Sequence, residues 1–175
     1  MLVPMAFKLP ESVLVVVHTP RLDILLLERT GTGFWQSVTG SREPDDPDFE
    51  TTARRELLEE TGLSVGTLTD WRLTNRYEIW AQWRGRYAPG VTHNVEHVFS
   101  FQVPELTVAT LDPVEHVAQL WLPWQDAVHR CFSPQRKTSC AFPAPPSNNA
   151  STTATRSWPN TTRRYSSVLS PSSSR

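Results

Sequence analysis

The chain has 175 residues, 38% of them hydrophobic and 20% charged, with a formal net charge of −1. That length suits one domain with one core, and the charge excludes a uniformly basic nucleic-acid binder. No run reaches the roughly 18 apolar residues of a membrane-spanning helix.

In chain order, residues 12–18 and 22–28 read as strands. The second carries the continuous apolar run Ile24-Leu25-Leu26-Leu27, expected where both faces of a strand are covered. Pro20 and Arg21 mark the turn between them. Residues 34–40 read as a third strand entering a glycine. A helix is predicted over about 47–61, with Asp46 as N-cap, Pro47 at the first helical position and Gly62 as the left-handed residue that ends it. Residues 71–84 read as a long strand paired with 93–103 across the turn-rich 85–92. Residues 119–122 form a short strand, and 123–132 a helix starting at its proline. A mixed α/β sheet between helices follows.

Glu56, Glu59 and Glu60 stand at i, i+3 and i+4 and so share one side of the predicted helix. Like charges at such spacings cost about 0.2–0.5 kcal/mol per pair. A counter-ion is therefore expected, and carboxylate oxygens suit Mg²⁺, Mn²⁺ or Ca²⁺ rather than Zn²⁺. The plain alternative is a solvated acidic face. Strand, glycine turn and carboxylate-bearing helix are together a layout for holding a metal–phosphate complex.

Gly40 followed by Arg55-Glu56-Leu57-x-Glu59-Glu60-x-Gly62-Leu63 resembles the signature of the Nudix family, GX5EX7REUXEEXGU. The second half matches at every defined position. The first is one residue longer, since Arg55 follows Gly40 by fifteen positions rather than fourteen, which leaves the role of Asp45 or Asp46 open. Lys8-x-Pro10-x-Ser12, Phe34–Ser41, Arg86-Tyr87-Ala88-Pro89-Gly90-Val91-Thr92 and Glu115-His116 resemble, within that family, the bacterial enzymes that hydrolyse dihydroneopterin triphosphate, also known as dATP pyrophosphohydrolases. The similarity covers about residues 5–133.

The resemblance implies an α/β/α sandwich and a Mg²⁺-dependent cleavage, with Mn²⁺ a substitute, of a small-molecule triphosphate into monophosphate and pyrophosphate in folate synthesis. Glu56, Glu60 and Glu115 match metal ligands, and Lys8 and Thr39 match substrate-contacting positions. Tyr77, Glu78, Ile79 and Trp80 occupy the stretch that lines the pterin or base pocket. Glu59 or Glu115 is the candidate general base. Arg55 either orients a glutamate or makes a bidentate phosphate contact. Trp35, Tyr77 and Trp80 are either core or ring-stacking groups. His116 either assists at Glu115 or is structural, the commoner case. Glu96 is read as strand surface. A (d)NTP pyrophosphohydrolase and a catalytically silent binding module are the competing functions.

Residues 1–132 form the expected domain and carry all 18 acids against 11 of the 17 Lys/Arg. Residues 133–175 hold no acid, six prolines and seventeen Ser/Thr. They read as a solvated tail or as the product of a reading-frame shift near residues 131–134. Cys131 and Cys140 have no metal-binding spacing and fit a reducing cytoplasm. No membrane and no specific nucleic-acid partner is expected.

Overall fold

β1 (Glu11–His18) and β2 (Asp23–Arg29) are joined by a turn in which Leu22 N–H donates to the Thr19 carbonyl at 2.9 Å and Leu22 takes a left-handed φ of 63°. The two strands pair at a single register position, His18 with Ile24. Beyond it they diverge, and the next segment occupies both edges. β3 (Trp35–Gln36) pairs with β2, and β4 (Val38–Ser41) pairs with β1. The single strand expected over 34–40 is thus broken at Ser37, because one straight strand can follow only one of two diverging partners. The computed structural model from which this is read describes residues 7–131.

β5 (Thr67–Glu78) lies antiparallel to β6 (His93–Gln102), which runs parallel to β1 along its whole length. β7 (His116–Pro123) covers the other edge of β2, giving one seven-stranded mixed sheet. Two expectations are corrected here. The strand predicted over 71–84 starts earlier and ends at Glu78, and Ala81–Arg86 forms a 3₁₀ helix. Arg72, at φ 54°, sits where the β5–β6 register shifts, and that irregularity obscures the period-2 pattern. The strand predicted over 119–122 is twice as long, because β2 offers β7 a partner from Asp23 to Arg29.

The alternation of β1 builds two buried faces. Val13, Val15 and Val17 join Leu25, Leu27, Phe99 and Phe101 in one cluster with Ala53 and Leu57 of α1 (Phe49–Thr61). Leu14, Val16, Ile24 and Leu26 are fully buried on the opposite side. α2 (Trp124–Arg130) packs on β2 and β7 and buries Ala127. Helices thus flank a mixed sheet. Among the described residues no helix is long and apolar enough to cross a membrane. Cys131 is buried. The expectations for residues 133–175, including the reading-frame shift and Cys140, lie outside the described residues.

The helix begins two residues later than expected. Its N-cap is Asp48, whose Oδ1 accepts from the backbone N–H of Thr51 at 2.8 Å, and not Asp46. Asp46 is unavailable because its carboxylate already accepts from Glu43 N–H, Thr52 Oγ1 and Arg55. Gly62 closes the helix as expected, with φ 68° and its N–H donating to Leu58 O. Asp48→Ala should therefore lower the midpoint of urea unfolding, with the fold intact by circular dichroism.

Candidate active site

α1 packs on β4 and β1, and this contact sets the position of its carboxylates. Glu56 and Glu60, one turn apart, face β4 and are largely buried, with side chains 13% and 3% exposed. Thr39 N–H donates to Glu60 Oε2 at 3.3 Å. Gly40 leaves room for Glu56: a Cβ there would lie 1.7 Å from the Glu56 carboxyl carbon. Glu59 differs from the expectation that all three glutamates point together. It lies at the helix flank, 57% exposed, held by Arg55.

Arg55 is the electrostatic centre of this helix end. Its Nε and Nη2 donate to Asp46 at 3.3 and 2.9 Å, and Nη2 also to the Ser41 carbonyl at 3.0 Å. Its Nη1 donates to Glu56 Oε1 at 2.9 Å and Glu59 Oε2 at 3.2 Å. The guanidinium is thus surrounded by acceptors on Asp46, Glu56, Glu59 and the Ser41 carbonyl. These bonds hold the Asp46 carboxyl at about 2, well below its usual value. The partly buried Asp46–Arg55 pair is a feature that the sequence reading missed, because an Asp before a helix reads as a cap.

Glu115 arrives from the other side. It ends the loop before β7, tied to β2 by Thr30 N–H donating to its carbonyl at 2.8 Å. Its side chain, 45% exposed, reaches Arg29 at 4.0 Å. One ligand atom each from Glu60, Glu115 and His116 lie within 4.8 Å of one another. His116 Nε2 is 4.0 Å from Glu60 Oε2. Burial pushes the Glu56 carboxyl up to about 7. Burial, with the charges of Glu115 and Glu56 added, pushes Glu60 up to about 9. Burial also holds His116 below the usual imidazole value. Among the described residues Glu60 Oε1 has no hydrogen-bond partner despite being buried. A desolvated carboxylate with an unsatisfied oxygen, beside two further carboxylates, fits a hard divalent cation.

Lys8 stands at the edge of this group, its Nζ donating to Ser41 Oγ at 3.4 Å and its N–H to the Arg86 carbonyl at 2.9 Å. It thereby links β4 to the last residue of the 3₁₀ helix. Thr39 Oγ1 accepts from Gln36 at 3.3 Å. Glu78, Ile79 and Trp80 line an open depression of about 470 Å³ together with Ala81, Gln82 and Arg84. Tyr77 is not among its lining residues; its hydroxyl accepts from Asn94 Nδ2 at 3.1 Å. Ile79 is buried, whereas Trp80 is half exposed and stacked on Trp83 with ring centroids 5.2 Å apart. The Arg130 guanidinium lies over the Trp35 ring at 5.2 Å. Glu96, read as strand surface, is buried and accepts from Asn75. Its register partner on β5 is Asn75, a pairing that local alternation does not reveal.

The NUDIX domain model matches residues 8–142. The dihydroneopterin triphosphate diphosphatase of Escherichia coli K12 is 39% identical over 123 residues, covering 66% of this chain and 79% of that protein. The Haemophilus influenzae protein of the same name is 37% identical over 130 residues, covering 71% and 80%. A solved structure of the E. coli dihydroneopterin triphosphate pyrophosphohydrolase superposes with a TM-score of 0.70 at 35% identity, covering 77% of this chain and 94% of that one. The match spans the whole arrangement from Lys8 through α1 to β7, and the chain belongs to the Nudix family of hydrolases.

Proposed function

We propose that this chain is a cytoplasmic, Mg²⁺-dependent hydrolase that cleaves dihydroneopterin triphosphate to dihydroneopterin monophosphate and pyrophosphate in folate synthesis, with Mn²⁺ able to replace Mg²⁺. The observation that carries the reaction class is the buried Glu56–Glu60 pair facing β4 with Glu115 opposite. The shared name of relatives at 37–39% identity supports the substrate.

In this reading Glu56, Glu60 and Glu115 hold the metal. A divalent cation bound there supplies charge neutralisation at the phosphate oxygens and lowers the pKa of water. Arg55 fixes Glu56 through a 2.9 Å bond and is itself fixed by Asp46. Preorganisation of this kind contributes electrostatic stabilisation without rearrangement during the reaction. Lys8 and the Thr39 region meet the phosphate chain at the end of β4. Either Glu59 or Glu115, both solvent-accessible, accepts the proton of the attacking water. The ring of the substrate rests in the depression beside Glu78, Ile79 and Trp80. That depression also favours a second reading. The stacked, exposed Trp80–Trp83 pair offers a flat surface to any heterocycle, adenine included. A (d)NTP such as dATP is therefore the alternative substrate.

Pyrophosphate release from dihydroneopterin triphosphate and from dATP, with Mg²⁺ and with EDTA, tests both readings. Turnover of the pterin is expected to need metal and to exceed that of dATP in kcat/KM; the reverse order would give the second reading priority. Glu56→Gln and Glu60→Gln should each lower kcat by on the order of a hundredfold or more. Gly40→Ala should have a similar effect and should also lower the melting temperature, because the added methyl would displace a largely buried carboxyl group that Arg55 holds in place.

Stability should depend on pH in a metal-sensitive way. Glu56 and Glu60 are held at about 7 and about 9, above the ordinary value of a glutamate. Between these values the native chain binds more protons than the unfolded one, so metal-free stability falls as pH rises through 7 toward 9. Asp46 acts in the opposite sense and only in acid, losing its contribution as pH falls toward about 2. In EDTA the melting temperature should decline from about pH 5 to about pH 9, and Mg²⁺ or Mn²⁺ should restore it most at the alkaline end. Glu60→Gln should flatten the decline. A flat profile in the wild-type chain would show that these carboxylates are not desolvated.

A further inference from the structure

His116 is a buried histidine that the mechanism above leaves without a task. It is 1% exposed and opens β7, directly after Glu115. Among the described residues neither of its ring nitrogens has a hydrogen-bond partner. Another buried histidine, His18, is placed differently: its Nδ1 lies 3.0 Å from the Thr19 carbonyl. Buried polar atoms are normally paired, and one that is not calls for a reason such as an ion. At His116 the unpaired Nε2 faces Glu60, whose Oε1 is also unpaired. Two unsatisfied buried groups of complementary ligand type thus stand together with Glu115 within reach.

The spacing suits a shared ion. Two donors each about 2.1 Å from one cation stand about 3.0 Å apart when adjacent and about 4.2 Å apart when opposite. The Nε2–Oε2 separation of 4.0 Å falls inside that range, and the donor atoms of all three residues lie within 4.8 Å of one another. Coordination through Nε2 requires the tautomer with its proton on Nδ1. It would leave one unpaired N–H where the metal-free chain has two unpaired ring nitrogens.

We propose that His116 is a nitrogen ligand of the divalent cation and makes, with Glu60 and Glu115, a mixed oxygen–nitrogen site that accepts Mg²⁺ but binds Mn²⁺ or Co²⁺ more tightly. The proposal rests on the metal-holding role given above to the two glutamates and adds a donor of a different chemical class. All-oxygen sets suit Mg²⁺, which keeps several waters, whereas imidazole suits the later divalent ions. The consequence is a metal preference that the glutamates alone do not produce.

The test uses the full chain and metal alone, without substrate. Electron spin-echo envelope modulation of bound Mn²⁺ should show a coupled ¹⁴N, replaced by the ¹⁵N pattern when the protein is labelled with ¹⁵N-histidine. In His116→Phe the nitrogen signal should vanish, and calorimetry should show Mn²⁺ binding weakened by about tenfold or more, with Mg²⁺ binding less affected. The labelled wild-type spectrum stands alone if the variant does not fold. Bound Mn²⁺ without nitrogen coupling would overturn the proposal, reducing His116 to a positioning residue that donates to Glu60, and would leave the three-glutamate site intact. Failure of the wild-type chain to bind Mn²⁺ at all would overturn both.

Discussion

Two carboxylates are pressed against the backbone of a strand, and much of the site follows from how that is tolerated. Glu56 and Glu60 reach β4 because α1 lays Ala53 and Leu57 on the sheet, and the same packing that buries the apolar residues removes water from the acidic ones. Arg55 offsets part of the resulting repulsion, joining Glu56, Glu59, Asp46 and the Ser41 carbonyl in one set of charge-assisted bonds. Among the described residues Glu60 forms no ion pair with a lysine or arginine, and that deficit is what a divalent ion would fill. The apolar core and the polar site are therefore two results of one helix–sheet contact.

Such an arrangement sets binding capacity against stability. A carboxylate raised to about 9 by burial is a strained element of the metal-free chain, and folds commonly lose stability where a functional group must be kept poorly solvated. The Asp46–Arg55 pair works in the other direction. It is partly buried, well hydrogen-bonded and anchored to β4 and the helix start at once.

The sequence made the ends of this site visible and hid its middle. The spacing of Glu56 and Glu60 and the glycine at 62 are local signals, and the helix ends where they place it. Asp46 was misread because an acidic residue before a helix is ordinarily a cap, and only the folded chain shows that Arg55 and Thr52 have claimed its oxygens. The break at Ser37 was invisible because alternation reports which face a residue takes, not which neighbour it pairs with. His116 offered no signal beyond its place after Glu115, since its burial depends on the start of β7 meeting α1 across the sheet. The bulge around Arg72 and the 3₁₀ helix were lost for the same reason: both depart from a period rather than create one.

The divergence of β1 and β2 has a mechanical side. Their shared ladder is reduced to the pair His18–Ile24, so the sheet has a seam. On one bank stand β1, β4 and, through α1, Glu60; on the other stand β2, β7 and Glu115. An ion gripped by both glutamates is a rivet across that seam. The segment 35–41 already bridges the seam, β3 on β2 and β4 on β1, and an ion held by both glutamates would add a second, metal-dependent tie between the same two banks.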